Sequence, residues 1–568
     1  MKQEYQKLYT AEGEQLQEPF WNAYPRPQMR REKWQSLNGV WDLSIAGGEP
    51  VQIRVPYAPE SLLSGFEGTI HYGDLLKYER TFTVPEEWRG QRVILHFGAV
   101  NRLSEVRVNG KYFCRHENGY LPFSADVTEA LKPWENTLTV TVINDLSTIY
   151  PWGKQKEKRG GMWYTPVSGI WQTVWMEPVP EAHIERLEIG QDQFGADLKV
   201  IGVSEGTVFF DGQEIPLENG EARLTPKKAH PWTPEDPFLY PVKIRTAEDE
   251  VDSYVALRSI AAWTIDGVPR LMLNGKPYFF NGLLDQGYYS DGLYTPADPG
   301  AYERDILAMK SLGFNMLRKH IKVEPEQFYY DCDRLGMAVF QDMVNCGKYD
   351  FFHDTLLPTL GLKALKDQRT NRDPETRETF LQTAEETIRH LKNHPSIVYY
   401  TIFNEGWGQF EADEAYQILK AIDPSRIFDA ASGWFRQRKS DVESEHIYFK
   451  KLKLGKASSR PAVLSEFGGY VYKDPDHSFN LRKTYGYKIF SSREAFVAAL
   501  RKLYLEELLP LIRKGYSAAV YTQVSDVEDE TNGLFTYDRK VLKVSPEEMA
   551  GIAEMLCQAV SKREEENL

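Results

Sequence analysis

The pattern of hydrophobic and polar positions divides the chain into three parts. In the first part, from about residue 34 to residue 178, short runs such as residues 92–97 and 137–142 alternate apolar and polar side chains. Alternation with a period of two, ended by Asn-Gly or by proline, is typical of strands in an antiparallel sheet with one buried face. Residues 1–180 are therefore predicted to form a β-sandwich domain of the jelly-roll type.

A second group of short strands begins near the Pro-Val-Pro segment at residues 178–180 and continues to about residue 259. Its runs include residues 196–200, 206–210 and 240–244. Short strands at this spacing predict a compact immunoglobulin-like β-sandwich over residues 181–262.

After residue 273 the pattern changes to strand-like runs that alternate with long helical segments, as in β–α units with a parallel sheet. Eight candidate strands lie at residues 278–282, 314–318, 337–341, 397–403, 426–430, 446–449, 462–466 and 517–523. Predicted helices lie at residues 299–312, 326–335, 374–393, 411–422 and 492–514. A (β/α)8 TIM barrel typically needs about 250 residues, so residues 263–568 are predicted to form one.

Composition narrows the class of protein without identifying its substrate. The chain has 568 residues, 42% hydrophobic and 26% charged, which is ordinary for a globular protein. Its formal net charge of −14 argues against nucleic acid or an anionic membrane as the main partner. Four scattered cysteines form no CxxC pair, and no apolar signal core or membrane-length run is present, so a cytoplasmic protein is expected.

Two glutamates carry the strongest chemical signal. Glu405 and Glu466 each end a continuously apolar run, and a glycine follows closely in Asn404-Glu405-Gly406 and in Glu466-Phe467-Gly468. Runs of this kind are buried strands of a parallel sheet, and a carboxylate at the carboxyl end of such a strand is costly unless it faces a cleft. Barrel enzymes place their catalytic groups at that edge. Two carboxylates that meet across a cleft are what glycosidic-bond hydrolysis requires.

Other polar or aromatic residues are predicted at the same edge of the barrel. They are Asp285 after strand one, Arg318 and His320 after strand two, Asp342 after strand three, Trp434 after strand five, His446 and Tyr448 on strand six, and Tyr521 and Gln523 on strand eight. Any one of them could be structural, but their clustering at the carboxyl-terminal rim favours a binding site. The long segment at residues 344–373 is expected to form part of its wall.

These residues and several longer motifs carry a resemblance to a known family. The chain resembles glycoside hydrolase family 2, the β-galactosidases, β-glucuronidases and β-mannosidases, from about residue 20 to residue 543. The similar segments are residues 34–41, 118–123 and 168–175 in the first, sugar-binding-type domain, and residues 393–398, 404–405 and 465–468 in the barrel. Together these motifs are highly specific, whereas Asn-Glu alone would be weak.

The resemblance implies roles for individual residues. By position, Glu405 is similar to the family's acid/base, Glu466 to its nucleophile, and Asn404 to the residue that hydrogen-bonds the sugar 2-hydroxyl. Tyr448 matches a family tyrosine that hydrogen-bonds the nucleophile. The family retains anomeric configuration, which implies carboxylates about 5–5.5 Å apart and a covalent glycosyl intermediate. Neither a cofactor nor a metal is carried over from the family.

The sequence departs from two family patterns that concern the sugar. Family β-glucuronidases carry an Asn-x-Lys motif where this chain has Glu530-Thr531-Asn532, and the nearby acids Glu528 and Asp529 would repel a uronate. The large β-galactosidases place a Tyr-x-His after the nucleophile, where this chain has Phe467-Gly468-Gly469. Acids and the amide of Asn532 suit neutral hydroxyls, while the basic run at residues 436–439 could bind an acidic group.

The expected function is a retaining exo-β-glycosidase, most simply a β-galactosidase. Cleavage of a β-linked glucose, mannose, xylose or galacturonate, or of an arabinofuranoside, is the alternative within this class, and a β-glucuronidase is a weaker one. A non-catalytic carbohydrate-binding protein and a metal-dependent hydrolase are the alternatives from other classes. The expected partner is a small-molecule glycoside or oligosaccharide, with no nucleic acid and no membrane, and a homo-oligomer is possible.

Overall fold

The computed structural model describes residues 5–359, 366–455 and 458–561. The first domain is a sandwich of two antiparallel sheets and a short strand pair. The four-stranded sheet contains Gln35–Ser36, Val174–Val179, Arg92–Phe97 and Phe123–Asp126. The six-stranded sheet contains Val51–Val55, Gly39–Ile45, Leu75–Thr83, Glu135–Ile143, Leu103–Val108 and Lys111–His116. Val100–Asn101 and Gly169–Ile170 form the pair.

Alternating burial explains why these strands form a sandwich. Along Glu135–Ile143 every second side chain is buried, and this strand pairs with Leu75–Thr83 on one side and Leu103–Val108 on the other. The buried side chains, including Trp41 and Leu95, meet in one core between the sheets. The alternation in the sequence therefore predicted this domain's architecture correctly.

The second domain has seven antiparallel strands around its own hydrophobic core. In sheet order they are Arg186–Gln191, Ala196–Ile201, Glu221–Leu224, Gln213–Glu218, Glu205–Phe210, Tyr240–Arg245 and Glu250–Val255. All seven strands belong to one sheet, in which a single residue pair joins Gln213–Glu218 to Glu221–Leu224. The immunoglobulin-like assignment stays a prediction, as do the three domain boundaries.

A small sheet that the sequence pattern did not predict leads into the barrel. Its three strands are Ile260–Ile265, Val268–Leu273 and Lys276–Pro277. Leu271 is buried in the same hydrophobic cluster as Phe280, Met316 and Val520, which lie on barrel strands. The small sheet thus packs against one end of the barrel interior.

Eight parallel strands form the barrel sheet, as predicted. Strands one to eight are Phe280–Asp285, Met316–Lys319, Ala338–Asp342, Ile397–Asn404, Ile427–Ser432, Glu443–Ile447, Ala462–Gly468 and Tyr516–Thr522. Their hydrogen-bonded order is five, four, three, two, one, eight, seven, six. Strands five and six lie next to each other, and within the described residues no ladder joins them.

Helices follow most of the barrel strands. They are Ala301–Ser311, Glu326–Leu335, Leu357–Thr359, Pro374–Leu391, Ala412–Ile422, Arg493–Lys502, Leu509–Lys514, Pro546–Met549 and Ile552–Ser561. The predicted helix at residues 492–514 contains a π-helical turn at Leu503–Leu508. In the described part of the chain no helix lies between strands five and six or between six and seven, so the (β/α)8 pattern is incomplete there.

One loop of the first domain reaches the barrel. Residues 145–165, called here the first-domain loop, contact the segments that follow barrel strands three and eight. The Trp152 indole N–H donates to the Gly347 carbonyl at 2.9 Å, and the Tyr164 hydroxyl donates to Glu530. The Thr165 N–H donates to Glu528 at 2.9 Å. Two domains therefore build the mouth of the barrel.

None of the helices in the described ranges is long and apolar enough to cross a membrane. A cytoplasmic location and a possible homo-oligomer stay predictions.

Candidate active site

Glu405 and Glu466 lie at the carboxyl ends of barrel strands four and seven. Every residue of strand four is buried, and Glu405 follows its last residue with a left-handed backbone, φ +53°. The Glu405 N–H donates to the Ser432 carbonyl at 3.0 Å, which holds this turn against strand five. Glu466 lies within strand seven and is 5% exposed. Parallel strands end at the same edge, so both side chains reach the same mouth.

The two carboxylates are close enough to act on one bond. One oxygen of Glu405, one oxygen of Glu466 and one ring nitrogen of His446 all lie within 4.8 Å of one another. Carboxyl groups about 5–5.5 Å apart suit direct attack by one of them, whereas about 6.5–9.5 Å leaves room for an intervening water. The separation here belongs to the first kind of geometry.

Strong hydrogen-bond donors surround Glu466. Arg318 Nη1 donates to Glu466 Oε1 at 3.1 Å, and the Tyr448 hydroxyl donates to Oε2. The Arg318 side chain is 1% exposed, so its charge acts on Glu466 with little screening by water. Donors to the ionised form favour a carboxylate over a carboxylic acid. This environment is suited to a negatively charged Glu466.

Arg318 also connects two other residues of the site. Its Nε donates to Asp342 Oδ1 at 2.9 Å, and its Nη2 donates to Asn404 Oδ1 at 2.9 Å. Burial opposes the charge of Arg318, but the carboxylates of Asp342 and Glu466 hold its pKa above the ordinary value. Because the Asn404 oxygen accepts from Arg318, its amide N–H groups remain the donors it can offer to a ligand.

Glu405 has a different set of neighbours. His446 Nδ1 lies 2.7 Å from Glu405 Oε1, and His446 Nε2 lies 3.1 Å from the Ser432 hydroxyl. The Trp434 indole donates to the Glu405 backbone carbonyl at 3.1 Å. A Cβ on Gly433 would lie 2.7 Å from the His446 ring, so the imidazole can approach only because residue 433 is glycine. Glu405 thus contacts the imidazole of His446, which can donate or accept a hydrogen bond, whereas Glu466 contacts the guanidinium of Arg318, which is always charged.

His320 is a neutral group of the same site. Its Nδ1 lies 2.7 Å from Asp342 Oδ2, and burial lowers its pKa to about 3. At neutral pH the ring therefore carries one proton, which Nδ1 donates to Asp342. Nε2 is then an acceptor, which suits a sugar hydroxyl.

A second polar group lies beside strand eight. Gln523 Nε2 donates to Glu530 Oε2 at 3.1 Å and to Asn532 Oδ1 at 2.9 Å. Gln523 Oε1 accepts from Gln286 at 2.7 Å, and Glu530 also accepts from Tyr164. The Asn532 Nδ2 atom is buried and has no hydrogen-bond partner among the described residues. It is therefore an unused donor beside the site.

Aromatic rings of both domains form one wall of the mouth. The Trp163 ring lies 5.3 Å from that of Trp407, 5.4 Å from that of Trp152 and 4.8 Å from that of Tyr349. Trp152, Trp163 and Tyr164 were not among the residues predicted from the sequence, because they belong to a loop of the first domain. Their only sequence signal was the concentration of Trp and Tyr in residues 150–164, between strands.

The structure groups ten of the twelve predicted site residues around this mouth and places the other two, Asp285 and Tyr521, against protein partners. Asp285 binds Lys319 Nζ at 2.6 Å and accepts the Gly287 N–H at 2.9 Å, so it belongs to an ion pair beside the site. Tyr521 is fully buried, and its hydroxyl accepts the Tyr470 N–H at 3.3 Å. Both lie at strand ends, as predicted, but their polar atoms are used by protein partners.

Two further features bear on what the site can bind. Among the described residues, Glu405, His446 and Glu466 are the one set of His, Cys, Asp and Glu close enough to share a metal ion. A cation there would compete with Arg318 and Tyr448 for the Glu466 oxygens. A separate cleft of about 640 Å³ lies between the three domains, lined by residues such as Trp175 and Asn393 but by neither glutamate. Volume alone does not mark the site, because the paired carboxylates lie elsewhere.

Comparison with known families agrees with this geometry. Residues 267–468 match the family description "Glycosyl hydrolases family 2, TIM barrel domain". Residues 68–180 match "Glycosyl hydrolases family 2, sugar binding domain". The two matches cover the first sandwich from residue 68 onward and the barrel through strand seven, including both glutamates.

Individual relatives have low sequence identity to this chain, but the alignments cover most of both chains. A β-glucuronidase from Felis catus is 24% identical over 482 residues, covering 71% of this chain and 69% of the relative. A β-galactosidase from Thermoanaerobacter pseudethanolicus is 25% identical over 476 residues, covering 77% and 60%. The solved β-D-glucuronidase of Dictyoglomus thermophilum has a TM-score of 0.72 at 17% identity, over 95% of this chain and 98% of its own. At this identity the likeness to the solved structure shows the fold.

Proposed function

The chain belongs to glycoside hydrolase family 2 and is a glycosidase, and on that basis we propose that it is a retaining, exo-acting β-glycosidase. The observation that carries the proposal is the pair of carboxylate oxygens within 4.8 Å at the barrel mouth, in two different environments. The first-domain loop packs over part of the mouth, which favours release of one terminal sugar over cleavage within a chain.

In the first step Glu466 attacks the anomeric carbon, and Glu405 gives its proton to the leaving oxygen. Arg318 and Tyr448 hold the attacking carboxylate in place through hydrogen bonds until the C–O bond forms. His446 lies against Glu405 and can accept a hydrogen bond from its carboxylic acid form. The Asn404 amide is placed to bind the sugar 2-hydroxyl, an interaction that strengthens in the transition state.

In the second step water hydrolyses the glycosyl–Glu466 ester. Esterification removes the negative charge of Glu466, so a deprotonated Glu405 is no longer opposed by its neighbour and can take a proton from water. His446 can then donate Nδ1–H to the Glu405 carboxylate, while its Nε2 accepts from Ser432. One imidazole thus fits both protonation states of Glu405 by a change of tautomer.

The identity of the sugar is a finer question. The sequence predicted a β-galactosidase, but the comparisons favour the alternatives within the class, because β-glucuronidases are prominent among the relatives and the similar structures. Glucuronide-type substrates are therefore placed ahead of β-galactosides in the proposal. A neutral sugar is the second candidate, since Glu530 and Asn532 stand where family glucuronidases have Asn and Lys.

Trapping of the intermediate tests the proposed function. An activated 2-deoxy-2-fluoro glycoside is expected to inactivate the wild-type protein in a time-dependent way, with the added mass on the peptide that contains Glu466. Glu466→Ala should lose turnover, and azide should restore activity to Glu405→Ala with a β-glycosyl azide as product. Labelling of another residue, or inversion of the anomeric centre shown by NMR, would contradict the proposal.

A further inference from the structure

Four lysines are buried in the part of the chain that the structure describes, and one of them has no acidic partner. Three pair with carboxylates: Lys319 with Asp285 at 2.6 Å, Lys322 with Glu324 at 2.8 Å, and Lys543 with Asp526 at 2.6 Å. The fourth, Lys154, is 6% exposed, and its ammonium contacts aromatic rings but makes neither an ion pair nor a hydrogen bond with any residue in the described ranges.

Lys154 lies in the first-domain loop, next to the candidate active site. Its Nζ is 5.4 Å from the centre of the Tyr164 ring and 5.9 Å from that of Trp407. Trp407 follows Glu405 by two residues, and Tyr164 donates to Glu530 on the strand-eight side of the mouth. The positive charge of Lys154 also contributes, after burial, to the lowered pKa of His320. The ammonium is thus surrounded by groups of the sugar site.

A largely buried ammonium without an anion is unfavourable, and the faces of aromatic rings stabilise its charge less than a carboxylate does. The other buried lysines show how this protein otherwise neutralises such a charge. A cation left unneutralised beside a binding cleft is suited to an anion that arrives with the ligand.

Two further groups without hydrogen-bond partners lie in the same part of the barrel mouth as Lys154. The Trp407 indole N–H and the Asn345 side-chain amide are buried without hydrogen-bond partners among the described residues. The Asn345 backbone carbonyl accepts the N–H of Trp152 at 3.1 Å, two positions before Lys154 in the same loop. A carboxylate has two oxygens and about four acceptor sites, so it can use several such donors at once.

We propose that the sugar bound at Glu405 and Glu466 carries an anionic oxygen group, and that Lys154 of the first domain binds it. The group is the carboxylate of a terminal uronic acid or a sulfate ester on the sugar. This inference rests on the proposed glycosidase function and adds a specificity-determining residue to it. The barrel lacks a lysine at Asn532, and the neighbouring domain supplies the cation instead.

Paired substrates and three variants test the inference. The anionic substrates are the nitrophenyl β-glucuronide, the β-galacturonide and a 6-sulfated β-galactoside. Their neutral parents are the nitrophenyl β-glucoside for the first and the β-galactoside for the other two. The wild-type protein is expected to favour at least one anionic sugar over its neutral parent by tenfold or more in kcat/KM. Lys154→Met should lower kcat/KM for that anionic substrate by about 10²–10³-fold and for the neutral one by less than threefold. Lys154→Arg should recover part of the loss, and Lys158→Met, at an exposed lysine of the same loop, should match the wild type.

The design separates failure of this inference from failure of the glycosidase proposal. Wild-type preference for the neutral parents, or equal losses on both substrates in Lys154→Met, overturns the role of Lys154 and leaves the glycosidase proposal intact. Absence of turnover and of labelling at Glu466 overturns the glycosidase proposal. Binding of free uronic acids and neutral sugars to Glu466→Gln, measured by calorimetry, reports on Lys154 without turnover, and equal affinity with and without Lys154 counts against the inference.

Discussion

His446 Nδ1 lies 2.7 Å from Glu405 and 3.6 Å from Glu466, so one imidazole is within reach of both carboxylates. The shorter contact is a hydrogen bond, and the longer one is not. His446 is therefore placed to respond to the protonation state of Glu405.

Replacing His446 by Gln is expected to move the alkaline limb of the kcat/KM profile to lower pH. The neutral imidazole accepts from the acid form of Glu405, and its loss makes that form harder to keep. Activity on poor leaving groups should fall by about 10²-fold, because these need the proton most. Rates over pH with phenyl and dinitrophenyl leaving groups provide the measurement. His71→Gln, at an exposed histidine of the first domain, is the control, and an unchanged alkaline limb would argue against this role.

Tyr448→Phe removes one donor from Glu466 without changing the shape of the side chain much. We expect kcat to fall by about 10²-fold, the size of effect seen when one preorganised donor is lost. Thermal unfolding should shift little, because the ring still stacks on Tyr487 at 3.7 Å. Tyr416→Phe, which loses a hydroxyl contact to Asp441 outside the site, should keep full activity. Equal activity of the two variants would remove Tyr448 from the proposed mechanism.

Arg318→Met is expected to reduce both stability and turnover. It leaves the buried carboxylates of Asp342 and Glu466 without their cation, and such a change costs about 3–5 kcal/mol of unfolding free energy. Arg31→Met is the matched control, since Arg31 is buried against Glu177 and Asp249 away from the site. Chemical denaturation should show similar losses for both, while only Arg318→Met should abolish turnover of the folded protein.

His320 gives the fold a dependence on pH whose sign can be stated. Burial lowers its pKa to about 3, whereas an unfolded chain protonates histidine below about pH 6.5. Between these values the unfolded state binds more protons, so the free energy of unfolding falls as the pH falls. His320→Gln should make this slope shallower in melting temperatures measured from pH 7 to pH 4, and His71→Gln should leave it unchanged. Equal slopes in all three proteins would contradict the assignment.

The sequence located the barrel strands well, because buried parallel strands are continuous apolar runs. Strand four was predicted at residues 397–403 and is observed at Ile397–Asn404, and the predicted helix at residues 326–335 is observed with the same ends. The small sheet before the barrel was missed although Asp266-Gly267 and Asn274-Gly275 form the turns between its strands. Its two longer strands do not alternate between buried and exposed side chains.

Single residues at strand ends were harder to assign. Asp285 and Glu466 both follow apolar runs and both pair with a cation on strand two, Lys319 and Arg318 respectively. Of the two, Glu466 lies close to Glu405. The pairing depends on strand register, which the sequence pattern does not give. The acids at residues 528–530, predicted to repel a uronate, also have partners that the sequence did not reveal, because Glu528 and Glu530 accept hydrogen bonds from the first-domain loop. Contacts more than 350 positions apart in the chain leave no trace in local periodicity.

Under the role proposed for Lys154, the reach of the first-domain loop to the barrel mouth places catalysis and selectivity in separable stretches of the gene. Substitutions among some twenty codons of the sandwich can retune which glycosides are accepted while the acids on the barrel stay untouched.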